Sequence, residues 1–393
     1  MTFVFTRHSG GKYGAERANG THASSRACVT AMTFLALMGV LPGGHGVGAV
    51  SAQDRVPTAT LTETTPLRLT GAVDSNSPAM WELAQGQPRL YVFTSNAGKP
   101  SRAIGPGMAS LARPTSVTIT PHPGDGVWME GIVRDSGGTW YGFYHHEVPA
   151  VQCERPDVVR PSIGMVRSTD RGRSWTDLGT ILKAPTGSDR CESQNRYFVG
   201  GVGDVGVVLD QTQTFVYLFF SQYGQAADQQ GIGVARMLWA DRNQPQGKLD
   251  VWVSGTWLPM DRGDVDADGQ VEWTYFSGTP LVTPQHPWHD DDPEDDGFWG
   301  ASIHWNSSID QYVMLLNRVA DDAFTQEGIY ISFNPDLSNP GGWSAPTLLL
   351  KGGNWYPQVL GFDAGSGTDK EADGQARFFM GGESRYVISF TLK

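Results

Sequence analysis

Apolar and polar positions along this chain repeat one unit: a short strand, a tight polar turn, then a second strand of nearly continuous aromatic and branched residues. The unit occurs at Ala79–Leu83 with Arg89–Ser95, at Trp128–Arg134 with Trp140–His145, and at Asp204–Leu209 with Phe215–Tyr223. It recurs at Ala301–Trp305 with Gln311–Arg318 and at Tyr356–Phe362 with Arg377–Met380. The intervening residues are turn formers, as in Asp135-Ser136-Gly137-Gly138, Asp210-Gln211 and Asn306-Ser307. A second strand such as Phe215-Val216-Tyr217-Leu218-Phe219-Phe220 lacks polar alternation. It must therefore be covered on both faces, as happens when sheets stack against one another. Third strands are predicted at Ile163–Arg167, Gly231–Met237 and Gly328–Phe333, and fourth strands at Gly179–Leu182, Val251–Leu258 and Thr347–Leu350.

Units of four strands repeated five times predict an all-β chain: a five-bladed β-propeller of antiparallel blades, in one domain over residues 53–393. Leu67–Val73 precedes the first blade and is expected to close the ring as the outer strand of the last. A β-sandwich would not explain five strand pairs with similar openings. The composition agrees, since 49 Gly and 24 Pro suit a chain that turns often and exceed the roughly 47 of average usage.

The first 52 residues read differently. Arg7, Lys12, Arg17 and Arg26 precede the apolar stretch Ala27–Leu41, and Val50-Ser51-Ala52 offers small residues for cleavage. The run is too short for a permanent span, so a signal peptide over 1–52 and a secreted or periplasmic protein are expected. No later stretch reads as an integral membrane segment. From Gln53 onward 25 basic residues face 40 acidic ones. That balance argues against nucleic acid as a partner, and a monomer is expected. Cys28 falls in the leader, which leaves Cys153 and Cys191 as a pair suited to a disulfide in an oxidising compartment.

The most specific local motif is Ser168-Thr169-Asp170-Arg171-Gly172-Arg173-Ser174-Trp175, an S-x-D-x-G-x-x-W pattern. It resembles the Asp box of sialidases and other propellers, a turn between third and fourth strands, and a structural role is expected. Asp264, Asp266, Asp268 and Gly269 match the start of a calcium loop, but position twelve is Tyr275 rather than an acid. They form a candidate structural calcium turn; no cofactor is otherwise required. Asp290–Asp296 is a dense acidic run and reads as a solvated loop or a rim.

Propellers bind ligands where first strands begin and second strands end. Applied here, this selects Asp74, Glu130, Asp204, Trp299, His304 and Tyr356 near first strands. After second strands it selects His145, His146, Glu147, Tyr223, Arg318 and Glu383. Carboxylates among aromatics suit sugar hydrolysis, in which one carboxylic acid protonates the leaving oxygen and another attacks or activates water.

On these residues the chain resembles the five-bladed propeller glycoside hydrolases, which include arabinanases, β-xylosidases, levansucrases and invertases. The resemblance implies a glycosidase of carbohydrate metabolism acting on a polysaccharide or oligosaccharide. Asp74 would be base or nucleophile, Glu130 the general acid with Glu147 as its rival, and Asp204 a tuning carboxylate. His145, Glu147, Trp299, His304, Arg318 and Tyr356 would contact sugar. Those enzymes run Asp, Asp, Glu along the first blades, whereas this chain runs Asp, Glu, Asp. Two other readings remain: a non-catalytic propeller binding carbohydrate or protein, and a sialidase-like enzyme. The latter needs a sixth blade and three convergent arginines, for which Arg134, Arg236, Arg318 and Arg385 are available.

Overall fold

A computed structural model describes residues 56–265, 271–275, 277–289, 294–364 and 367–393. The leader, with its expected cleavage site, lies outside the described residues, as do Asp266, Asp268 and Asp290–Asp292; of Asp264 only its backbone in the strand Asp261–Val265 is described.

Five antiparallel sheets make up the five blades of a propeller. Their innermost strands are Ala79–Ala84, Val127–Arg134, Val202–Leu209, Phe298–Asn306 and Pro357–Gly361. Each begins within a few residues of its expected start, because the apolar run that defines it must lie between two neighbouring blades. Phe215–Tyr223 pairs on both sides, and Val216, Leu218, Phe219 and Phe220 are no more than 1% exposed, as a strand covered on both faces must be. Alternate side chains of this strand enter different core clusters, with Leu218 and Phe220 in one and Tyr217 and Phe219 in the next.

Two expectations about outer strands change. The ring closes through Pro57–Arg68, which pairs with Glu383–Leu392. Of the expected closing segment, only Leu67 and Arg68 take part, at the irregular end of the ladder. The Thr-rich stretch before Leu67 alternates too weakly to mark a buried strand, yet an outer edge strand needs only backbone partners. The single fourth strand expected at Val251–Leu258 is a hairpin, Leu249–Val253 with Thr256–Pro259, turned by Ser254 and Gly255 at positive φ.

The Asp box joins Arg155–Ser168 to Ser174–Leu182. Asp170 Oδ1 accepts the Arg173 and Ser174 backbone N–H groups at 3.0 and 2.9 Å, and the Ser168 hydroxyl at 2.8 Å. Gly172 has φ +71°, and a Cβ there would lie 2.3 Å from the Phe93 ring, so no other residue fits. Trp175 is 2% exposed beneath the turn and donates to the Gly172 carbonyl at 3.1 Å. Cys153 and Cys191 form the expected disulfide, with a Cα–Cα distance of 5.0 Å.

Candidate active site

The same defect recurs in three innermost strands. Their ladders lose register between Met129 and Gly131, between Gly203 and Gly206, and between Trp299 and Ser302. A bulge breaks the strict alternation of side chains and re-aims the extra residue. Glu130 and Asp204 occupy two of these bulges. The backbone N–H groups around them are met by side chains of neighbouring strands, Met129 N–H donating to Ser95 Oγ and Gly300 N–H to Ser221 Oγ, each at 2.9 Å. Asp204 has φ +42° and Tyr356 φ +61°, conformations that non-glycine residues seldom hold without support. Close approach is needed as well: a Cβ on Gly203 would lie 2.7 Å from the His145 ring.

These features bring together residues distant in sequence. Glu130, His145 and Asp204 are 1%, 5% and 6% exposed. One donor atom from each lies within 4.8 Å of the others, a separation from which an ion could be held. Val205 N–H donates to Glu130 Oε2 at 2.5 Å, and Asp204 N–H donates to His145 Nδ1 at 3.2 Å. The His145 proton therefore sits on Nε2, which has no hydrogen-bond partner among the described residues and stands 3.6 Å from Glu147 Oε1. Tyr223 donates its hydroxyl to Asp204 Oδ2. Asp74, in the segment before the first blade, is anchored by its N–H to the Ser95 carbonyl at 2.8 Å, and its carboxylate accepts a hydrogen bond from the Trp128 side chain.

Burial of so many acids raises their proton affinity. Glu130 is held well above the usual carboxylate range by burial first, then by the charge of Asp204. Glu147 is pushed up to about 7 by burial, then by Asp204 and Asp74. Asp204 rises to about 6 through burial, partly offset by the Tyr223 hydrogen bond. Asp74 rises through burial and the charge of Asp204, with the Trp128 hydrogen bond opposing. His145 is lowered to about 3 by burial and by His146, so its imidazole is neutral. Several titratable groups pushed apart by their surroundings within one site are what acid–base catalysis requires.

A cavity of about 80 Å³ opens beside this cluster. His145, Glu147 and Asp204 reach it from the polar side, while Trp299 and Tyr356 supply aromatic walls. Other expected residues stand elsewhere. His304 packs edge-on against Phe390 at 5.4 Å, between the fourth and fifth blades. Arg318 pairs with Asp296 at 3.1 Å and lies over Phe298. His146 bonds the Asp125 carbonyl, and Glu383 pairs with Arg68 on the outer edge. Three of the arginines available to a sialidase-like site pair with different partners in different blades. Arg134 faces Glu82, while Arg236 is held by Asp250 over the Phe215 and Trp257 rings. With five blades as well, the sialidase-like reading falls.

Sequence reading missed the aromatic roof of the cavity, made by Tyr197, Phe198, Phe324 and Trp355. These residues lie in connections without strand periodicity. The clue was their position: Tyr197 and Phe198 follow Cys191 closely, and Trp355 precedes the selected Tyr356.

No family model matches the chain, and no curated protein matches it. Among solved structures it is similar to the endo-arabinase from Bacteroides thetaiotaomicron VPI-5482, at 11% identity and a TM-score of 0.47, over 82% of this chain and 96% of that one. A thermostable family-43 glycoside hydrolase matches at 10% identity and 0.46, over 82% and 92% of the two chains. An exo-β-1,3-galactanase from Phanerochaete chrysosporium matches at 11% and 0.45, over 84% of this chain and 64% of that one.

Proposed function

We propose that this protein is an exported glycoside hydrolase that cleaves a polysaccharide or oligosaccharide with a pair of carboxyl groups, Glu147 on the cavity wall and Asp74 near enough to raise its proton affinity. The observation that supports this most directly is a set of carboxyl groups with unequal proton affinities beside an aromatic-walled cavity large enough for a sugar. Glycosidic bonds break through protonation of the leaving oxygen on one side and attack, direct or through water, on the other.

The geometry favours Glu147 over Glu130 as the acid. Glu147 lines the cavity, and its affinity of about 7 keeps it protonated until near neutrality. Glu130 is almost wholly enclosed, with one oxygen committed to the Val205 N–H, so it acts by position. Its carboxyl sits behind Asp204, while Asp204 raises Glu147 in turn. Asp74 serves as base or nucleophile, with the Trp128 hydrogen bond stabilising its charged form. His145 directs its buried Nε2–H toward the Glu147 carboxyl, 3.6 Å away, and Trp299 and Tyr356 present ring surface to the apolar face of a sugar.

The test is release of sugar by the purified protein from arabinans, xylans, fructans and aryl furanosides, with Asp74→Asn and Glu147→Gln beside it. Circular dichroism confirms that both variants fold. Loss of turnover in both, by about 10²–10⁴-fold, is the expected result. Turnover that survives both removes the site assignment. Glycan binding without turnover on any substrate replaces the hydrolase with a binding propeller.

A further inference from the structure

The roof over the cavity is built to stay in place. The segment after Cys191 is tied to the second blade by the disulfide and by Val159, which exchanges backbone hydrogen bonds with Tyr197 and Val199 at 2.9 and 3.1 Å. Asn195 clamps it from the other side, accepting the Tyr197 N–H at 2.7 Å and donating to the Trp288 carbonyl at 3.1 Å. Phe198 lies flat against Tyr223, ring centroids 3.8 Å apart.

From this anchored segment the roof reaches the far side. The Tyr197 hydroxyl donates to the Ala323 carbonyl at 3.1 Å, in the connection leaving the second strand of the fourth blade. Trp355, at the entry to the fifth blade, donates to the Phe324 carbonyl at 3.2 Å. Tyr197 and Phe324 also meet edge to face at 5.1 Å. Three separate connections therefore join around the cavity that Glu147 and Asp204 line.

What remains below is small. A water-sized group needs roughly 10–15 Å³ of such space, so a cavity of about 80 Å³ holds about five to eight of them. At about 30 Å³ of liquid volume per water, that is the bulk of one furanose or pyranose ring with its hydroxyls, and less than two.

We propose that the roof makes this a single-ring pocket, so that the protein recognises the end of a glycan and removes one terminal sugar at a time. The inference rests on the hydrolase reading above. In each cycle water's oxygen bonds to the terminal anomeric carbon as water gives a proton to the base carboxylate, the bond to the next sugar's oxygen breaks, and that oxygen leaves with a proton from the acid.

The experiment follows the first products from linear arabinan and xylan, and from their oligosaccharides reduced with borohydride at one end. The expected result is monosaccharide alone at early times, with each oligosaccharide shortening by one unit and polymer viscosity barely falling. Early oligosaccharide products with a rapid fall in viscosity would overturn the single-ring pocket while leaving the hydrolase intact. No release from any substrate would count against the hydrolase and carry this inference down with it. Tyr197→Ala, which removes a half-exposed ring and one hydrogen bond, is expected to raise the ratio of oligosaccharide to monosaccharide products at least tenfold. A folded Tyr197→Ala protein with an unchanged ratio would show that the roof does not enforce end recognition.

Discussion

Asp170 and Asp204 are the same side chain at opposite ends of the propeller, and their surroundings drive them in opposite directions. At Asp170 burial works to raise the pKa, but hydrogen bonds from Ser174, Ser168 and the Arg173 backbone outweigh it and hold the carboxylate below its usual range. At Asp204 burial dominates, and one hydroxyl from Tyr223 only partly offsets it, so the group rises to about 6. A carboxylate that accepts several well-aimed donors is a fold element, committed to one charge state. A carboxylate enclosed with other acids and few donors remains able to exchange its proton near neutrality.

The sharpest way to break this contrast is through the acid at the cavity. With Glu147 raised to about 7, kcat/KM on a substrate with a poor leaving group should fall as pH rises through about 7 and the acid loses its proton. On the other side, kcat/KM should fall as pH drops far enough to protonate Asp74, whose pKa is itself raised. Glu147→Gln should abolish the alkaline limb and cost about 10²–10⁴-fold in kcat. On an aryl furanoside with a nitrophenolate leaving group the loss should shrink severalfold. An alkaline limb that persists in a folded Glu147→Gln protein would assign the acid to another group.

At the Asp box the same kind of substitution should act on stability alone. Asp170→Ala removes the acceptor of the Arg173 and Ser174 N–H groups and is expected to cost ~1–2 kcal/mol in urea unfolding, with the pH–rate profile unmoved. A shifted pH profile would show that the turn communicates with the site.

The smallest effect concerns Glu130 and has the opposite sign. Its folded pKa lies well above the unfolded value, so its stabilising contribution is complete below the unfolded pKa and is lost as pH rises toward the folded one. Glu130→Gln keeps an acceptor for the Val205 N–H and carries no such penalty. It should therefore show a higher urea midpoint than the parent at pH 8. At pH 4 the difference should vanish. Equal denaturation midpoints at both pH values would show that Glu130 carries no such penalty.

Much of this architecture was legible in the chain. Phe215–Tyr223 and its counterparts announce strands covered on both faces, and five repeats of the pair leave the propeller as the economical closure. The Asp box was legible down to the role of each residue, since every partner lies within a few positions of the next. The ring's closing strand was not, because Pro57–Arg68 is an edge strand held by backbone pairing and bears little apolar signal.

At the candidate site the sequence by itself determined which residues lie near the mouths of first and second strands, and so brought Asp74, Glu130, His145, Glu147, Asp204 and Tyr356 onto one short roll. Local periodicity sufficed for that, because strand phase sets which end of a blade a residue occupies. Tertiary structure alone decided that Glu147 reaches the cavity while Glu130 is sealed behind it, and that His304 and Arg318 turn away. It also decided that Tyr197 meets Ala323 across the opening. Those outcomes depend on bulges that override alternation and on loops meeting from different blades. Proton affinity likewise belongs to an enclosure rather than to a residue, and enclosure exists only once the ring has closed.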